Sequence, residues 1–391
     1  MDRPASSRQD LYRVAASLFL WGMGESLFLI FQPLYLEEMG ADPFGVGGLL
    51  SINLLVMALA QIPVGHLSDR IGSKPLLKLS WATGILATLV MGFARDLFTY
   101  SVGMALYALT GAVMAPLNAY IVAARGDLPV SKALTSVNAA YLAGALIGPM
   151  IGGVLAEQIG LRLIYFIASG VFIFSTILIF TIHQQVPLKS VERPPIRQLV
   201  LSKRFGFSLA LIAVVVFSTG LSVPFSNIFL QNQRGISLAQ IGQFGSLANL
   251  SGVFFNLILG RASPVLGFLA AEAGMTIFAA LLAYGTGIPF IFAAFLFMGS
   301  YRVVNSMATA FIRPIVHDAQ VGVAFGILET TRILAAMLSP LVSGWLYEQQ
   351  PLLPFQVSIV LGATIGFVLG YVWLNRQSVV PKLRLDKGST D

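Results

Sequence analysis

The sequence predicts an all-α integral membrane protein with twelve transmembrane helices in two six-helix pseudo-repeats. Three observations predict it. The 391 residues are 56% hydrophobic and only 10% charged, with a mean hydropathy of +0.81, whereas soluble chains are about 25% charged. Apolar runs of about 20 residues, each enough to cross a hydrocarbon core of about 30 Å, recur along the whole chain. The longest polar stretch lies in the middle, with six runs before it and six after. No water is available inside a bilayer, so such runs satisfy their backbone groups only as helices.

Taken in order, the spans are predicted over 11–36, 44–67, 75–93, 97–124, 132–157 and 161–182, then 205–230, 237–259, 270–288, 289–312, 321–347 and 352–374. Residues 1–183 form the first predicted half and 205–375 the second. A polar linker over 184–204 carries Pro187, Pro194 and Pro195, and a tail covers 376–391. The net charge of +7 follows topology rather than any nucleic-acid partner. Of 24 Lys and Arg, 19 fall on the side of the N-terminus, and only Arg95, Arg162 and Arg234 fall in loops on the other. By the positive-inside rule both termini are cytoplasmic and the chain is a multi-pass plasma (inner) membrane protein.

Other chemistries are excluded. Without cysteine there is neither a disulfide nor a thiolate metal site. His66, His183 and His317 are scattered among loops, so no metal centre and no cofactor are expected. No Gly-x-x-x-x-Gly-Lys-Ser/Thr is present to cradle ATP, and Gly22-Met23-Gly24 lies inside a span without a third glycine. The basic N-terminus runs into the first span without a small-residue cleavage site, so no removable leader is expected.

The halves resemble one another. At an offset of 195, Gly40, Gly47 and Gly65 map onto Gly235, Gly242 and Gly260. At an offset of 191, Pro149, Gly153, Leu155, Glu157 and Gln158 map onto Pro340, Gly344, Leu346, Glu348 and Gln349. Internal repeats of this kind build transporters whose substrate site lies near the midplane between halves.

The most specific motif is the turn after span 2, Gly65-His66-Leu67-Ser68-Asp69-Arg70-Ile71-Gly72-Ser73-Lys74. Its two glycines permit a tight reversal, and its charges sit where a helical hairpin meets water. The pattern resembles the loop between helices 2 and 3 of the major facilitator superfamily of secondary transporters. That resemblance covers nearly the whole chain and implies a cytoplasmic latch between the halves, with Asp69 as its acid and Gly65, Arg70, Gly72 and Lys74 completing it. Pro75 departs from the pattern, a further basic residue being common there. The matching turn after Gly260 keeps Arg261 but no Asp-Arg, so the latch is expected on one side only.

A second motif, Gly144-Ala145-Leu146-Ile147-Gly148-Pro149-Met150-Ile151-Gly152-Gly153, places small residues four apart in span 5. Such spacing lets helices approach closely, and Pro149 frees a carbonyl and can bend the helix. It resembles the pattern common in antiporters of the superfamily, with Gly144, Gly148, Pro149, Gly152 and Gly153 as its members. A further signature of proton-coupled exporters is missing, because the span 4 position four residues before Gly111 is Tyr107 instead of Arg.

Charge inside a span costs about 2.5–3.5 kcal/mol on insertion scales, so it marks a cavity or a partner. The side chains singled out are Glu25, Arg302, Glu329 and Arg332, a formally neutral set. Glu329 and Arg332 share a face of span 11. They are read either as a substrate site or as a structural ion pair, with or without Arg302. Under the 191 offset Asn138 and Tyr141 stand opposite them, and Gln32 pairs with Asn227 at 195. These residues, with Tyr107, form the predicted substrate and proton pathway, in which Glu25 titrates.

The resemblance implies alternating access by a secondary transporter, not an enzyme, expected as a monomer. Its predicted partners are a small-molecule substrate, a coupling ion, H+, and the lipid bilayer, with no nucleic acid. Proton-coupled efflux by antiport is the favoured expectation. Proton symport of an anionic solute is the alternative, and a non-transporting receptor of the same fold is the remote one.

Overall fold

The computed structural model describes residues 6–183, 202–260, 262–316 and 320–379. The described residues form helices and no strands. Among the described residues, eleven helical segments are long and apolar enough to cross a membrane. The twelfth, Leu238–Leu259, has the length, 22 residues or about 33 Å, but is diluted by Gln240, Gln243, Asn249 and Asn256.

Six spans are single helices close to the predicted ranges: Pro43–Ile71, Ser73–Phe93, Val130–Ile159, Leu161–Phe180, Val321–Gln349 and Leu353–Val379, being spans 2, 3, 5, 6, 11 and 12. Span 9 runs over Pro264–Tyr284 and so begins six residues before the predicted 270. Ser263 accepts a hydrogen bond from the Leu266 N–H and Pro264 opens the first turn, a stop-and-start signal that outweighs the apolar run. Span 7 begins at Lys203, inside the predicted linker, because Ser202 caps it. Span 12 extends to Val379, into the predicted tail. Linker residues 184–201 and tail residues 380–391 lie outside the described residues.

Spans 1, 4, 7 and 10, predicted as continuous, are each broken. Span 1 consists of Ser6–Phe28, a 3-10 turn at Leu29–Phe31, and Gln32–Glu38. Span 7 consists of Lys203–Leu221 and Ser226–Arg234. Pro33 and Pro224, related by the 191 offset, remove an N–H at each break. Span 4 divides into Leu97–Gly111 and Met114–Ala124, and span 10 into Ile288–Met298 and Tyr301–Ile312. The breaks of spans 1 and 4 recur six spans on, in spans 7 and 10, as the six-helix repeat requires.

Both described chain ends lie on one face of the bundle, called here the terminal face; the other is the far face. At the far face the halves are in backbone contact. A side chain on Gly47 would collide with the Pro340 carbonyl and the Gly344 Cα, and one on Gly242 would collide with the Pro149 carbonyl and the Gly153 Cα. The two contacts are copies of one another under the repeat. Polar bonds reinforce the seam: Asn227 Nδ2 donates to the Ile30 carbonyl at 2.9 Å, freed by the span 1 break, and Asn232 Nδ2 to Glu37 Oε1 at 2.7 Å. The Ala239 N–H donates to Glu157 Oε2 at 2.8 Å. Toward the terminal face Asn118, Asn138, Asn305, Ser306, Thr309 and Thr330 are exposed. The bundle is closed at the far face and open at the terminal face.

Candidate functional site

Span 5 organises the site. Gly144, Gly148 and Gly152 lie on one stripe, and a side chain on any of them would collide with span 1 backbone at Phe19, Met23 or Leu27. Pro149 and Gly153 lie on the next stripe and meet span 8 across the two halves. The glycine motif thus closes span 5 on two neighbours at once. Van der Waals contact is the main source of such packing, since lipid supplies no hydrophobic drive between helices.

That approach fixes the polar groups. The Tyr141 hydroxyl donates to Glu25 Oε2 at 2.8 Å, joining spans 5 and 1. The buried Tyr107 hydroxyl of span 4 stands beside the same carboxyl without meeting hydrogen-bond geometry. Where a basic residue was the superfamily pattern, this chain supplies a phenol to the acid. Tyr107 is held by rings: it stacks at 6.3 Å on Trp21 and at 6.1 Å on Phe172, and meets Phe28 edge-on at 5.2 Å. Trp21 is a packing residue of this cluster.

From the other half, Arg302 Nη2 donates to Asn249 Oδ1 at 2.5 Å, and Asn249 Nδ2 donates to the Ala145 carbonyl at 2.7 Å. Ala145 is one turn from Tyr141, so Glu25 and Arg302 are tethered to the same stretch of span 5. Arg302 lies within electrostatic reach of Glu25 and Tyr141. Its stem packs on Gly252, where any side chain would displace it. Arg302 bonds Asn249 and stays out of the Glu329–Arg332 pair, of which the ion-pair reading makes it an optional third member. The physical reason is the span 10 break at Gly299–Ser300, which brings Arg302 against span 8.

Glu329 Oε2 accepts from Arg332 Nη1 at 2.7 Å, and Arg332 also donates to Asn305 of span 10. The Glu329 side chain is 45% exposed; an i,i+3 pair of that exposure contributes about 0.3–0.5 kcal/mol at most. Its consequence is orientation: it holds charge on the wall of the open side. Asn138 is exposed on the facing wall.

Other predicted pathway residues lie elsewhere. Gln32 is buried, its Nε2 without a hydrogen bond, beyond the span 1 break toward the far face. Asn227 belongs to the far-face seam. Neither lines the open cavity, because the breaks at 29–31 and 222–225 turn both amides into interhelical contacts. In the turn after span 2, Gly72 (φ +81°) alone links two long helices, a left-handed conformation that glycine adopts without strain. Gly65 is open to its surroundings, Arg70 is exposed and Lys74 half-buried. The Asp69 side chain lies outside the described residues.

Two polar features go unseen in the sequence. Asp10, fully buried, accepts from the His183 N–H at 3.1 Å, Arg13 Nη1 at 3.3 Å and the Tyr120 hydroxyl at 3.3 Å, tying spans 1, 4 and 6 at the terminal face. Glu272 is buried within span 9, inside the range predicted for it, yet is absent from the charges that sequence reasoning singles out.

Relatives match this arrangement. The family model for the Major Facilitator Superfamily matches residues 14–271. A multidrug resistance protein MdtG from Proteus mirabilis is 31% identical over 265 residues, 64% of this chain and 63% of that protein. MdtG from Salmonella dublin is 30% identical over 286 residues, 70% and 69% of the two chains. The chain therefore matches somewhat under two thirds of the first relative's length and slightly more of the second's. Among solved structures, a variant of the nucleoside transporter NupG superposes with a TM-score of 0.81 at 13% identity, over 93% of this chain and 99% of that one. A bacterial homologue of the human lysosomal transporter Spinster, in an inward-facing and unoccupied conformation, gives 0.74 at 14%, over 96% and 99%. At these identities the likeness is one of fold. With its repeat, its broken spans and its span 2–3 turn, the chain belongs to the Major Facilitator Superfamily and is a multi-pass membrane transporter.

Proposed function

We propose that the protein exports small organic solutes across the plasma (inner) membrane in exchange for protons, with both termini in the cytoplasm. The terminal face is then cytoplasmic, and the structure is the inward-facing state, ready to take a solute from the cell. The single observation that carries the reading is the Glu25 carboxyl inside span 1, bonded to Tyr141 at 2.8 Å with Arg302 of the other half within electrostatic reach. Solute entering the cavity displaces the proton of Glu25 to the cytoplasm. After the halves rock, Glu25 takes a proton from outside as the solute leaves. One proton moves in for each carboxyl loaded, and the gradient drives the solute out.

The relatives named as multidrug resistance proteins support efflux. Symport of an anion is less supported, since Arg302 is engaged by Asn249 and Arg332 by Glu329. In the outward-facing state the Gly65–Lys74 turn would latch the halves through Asp69. Everted membrane vesicles with an acid lumen test the reading. Ethidium and other labelled solutes should accumulate in the lumen when the gradient is imposed and stop when it is collapsed; accumulation indifferent to the gradient would refute proton exchange.

A further inference from the structure

The carboxyl of Glu272 has no role in the cavity, and its surroundings are unusual. It is 1% exposed. Oε2 accepts one bond, from the Ser218 hydroxyl of span 7 at 3.3 Å, and Oε1 is buried with no partner. On span 12 Gly362 leaves the carboxyl its space: a side chain there would stand 3.3 Å from Oε2 and collide with the Thr276 hydroxyl.

Charged and titratable groups on the packed elements are directed elsewhere. On span 10 Arg302 is bonded to Asn249, and Tyr301 faces Arg332 and Arg302. Lys203 and Arg204 lie exposed at the start of span 7, Tyr284 is exposed at the end of span 9, and Tyr371 is exposed on span 12. No charged group acts on Glu272 among the described residues. An ionised carboxylate so placed would carry the full cost of an unpaired buried charge, which proteins avoid by neutralising the group.

The position also touches two helix breaks. Ser218 lies one turn before the break of span 7, and Ser358 of span 12 donates to its carbonyl at 3.5 Å. The neighbour of Glu272, Ala271, accepts from Ser300 at 3.3 Å, and Gly274 lets that serine approach. Ser300 is the break of span 10, two residues from Arg302.

We propose that Glu272 is a second proton-binding site of this transporter, set in the C-terminal half outside the cavity and read out through the breaks of spans 7 and 10. In the state seen here it holds its proton. Rearrangement of those breaks opens the carboxyl to water, where it releases the proton and later regains it. The proposal rests on proton exchange as the driving reaction but does not require Glu25 to be the coupling group.

Potentiometric titration of the purified protein tests it without any solute. Wild type should bind one proton more per molecule than Glu272→Gln across the titration, and Glu25→Gln should lose a different proton, the double variant losing both. Ser218→Ala keeps the acid while removing its one bond, so it should displace the Glu272 step in pH, which guards against a misfolded Gln variant. A Glu272→Gln titration identical to wild type, with no displacement in Ser218→Ala, would overturn the proposal. So would release of the Glu272 proton at constant pH when choline is replaced by Na+, which would make the site one for a metal cation. A Glu25→Gln titration identical to wild type would instead count against the reading in the preceding section.

Discussion

Tyr141 and Glu25, 116 residues apart in sequence, are joined by a 2.8 Å hydrogen bond from the phenol to the carboxyl. The bond forms because Gly144 and Gly148 bring span 5 into backbone contact with span 1. One turn further along span 5, Ala145 takes the bond from Asn249 that anchors Arg302. Any movement of span 5 against span 8 is therefore felt by the acid in one half and the base in the other. A hydrogen bond to a charged group contributes about 1.5–3 kcal/mol. Tyr141→Phe should thus retain gradient-driven transport but shift its pH profile, measured as initial ethidium uptake into everted vesicles across pH.

The far-face seam tolerates nothing larger than glycine at its crossing points. Overpacking costs about 1–3 kcal/mol, equivalent to roughly a 5–150-fold change in a two-state population. Gly242→Val should disfavour the state closed at the far face, and Gly47→Val should do the same through the symmetric contact. A cysteine placed at Asn305, exposed in the present state, should then label more slowly from the terminal face.

Arg302 is held by Asn249 instead of standing free as an anion clamp. Arg302→Ala and Asn249→Ala should lower transport of anionic and neutral solutes alike. In a double-mutant cycle the pair should show a coupling of about 0.5–3 kcal/mol. Selective loss of anionic solutes in Arg302→Ala would restore the clamp.

Asp96 caps the first helix of span 4, accepting from the Thr99 N–H and the Thr99 hydroxyl, each at 2.8 Å. These bonds hold its carboxyl below the ordinary value. A group whose folded value is depressed stabilises the fold above its unfolded value and loses that contribution as pH falls through the folded one. Asp96→Ala should lower the melting temperature at neutral pH, and the gap from wild type should close under acid conditions below the usual carboxylate range, about 3.9.

The spans and the repeat were legible because hydropathy and glycine spacing act locally. Gly47, Gly153, Gly242 and Gly344 were even paired correctly by offset, although nothing in the sequence says that Gly47 meets Gly344 and Gly242 meets Gly153. The breaks were not legible. Pro33 and Pro224 hint at two of them, but the break at Gly299–Ser300 needs no proline, only a close approach to span 8. Beyond that break Arg302 lies against Asn249 and Gly252 of span 8. Polarity groups Gln32 and Asn227 with the pathway, but Asn227 donates across the seam to Ile30 and Gln32 is buried beyond the span 1 break. Asp10 lay too close to the chain's polar start to look buried, and its partner His183 borders the linker, 173 residues away.

The account rests on Glu25 as the group that exchanges a proton for solute. Everted vesicles containing Glu25→Gln, with an acid lumen and labelled ethidium, put this most directly to the test. The variant should bind ethidium yet fail to accumulate it when the pH gradient is imposed. Full accumulation in response to the gradient would contradict the account.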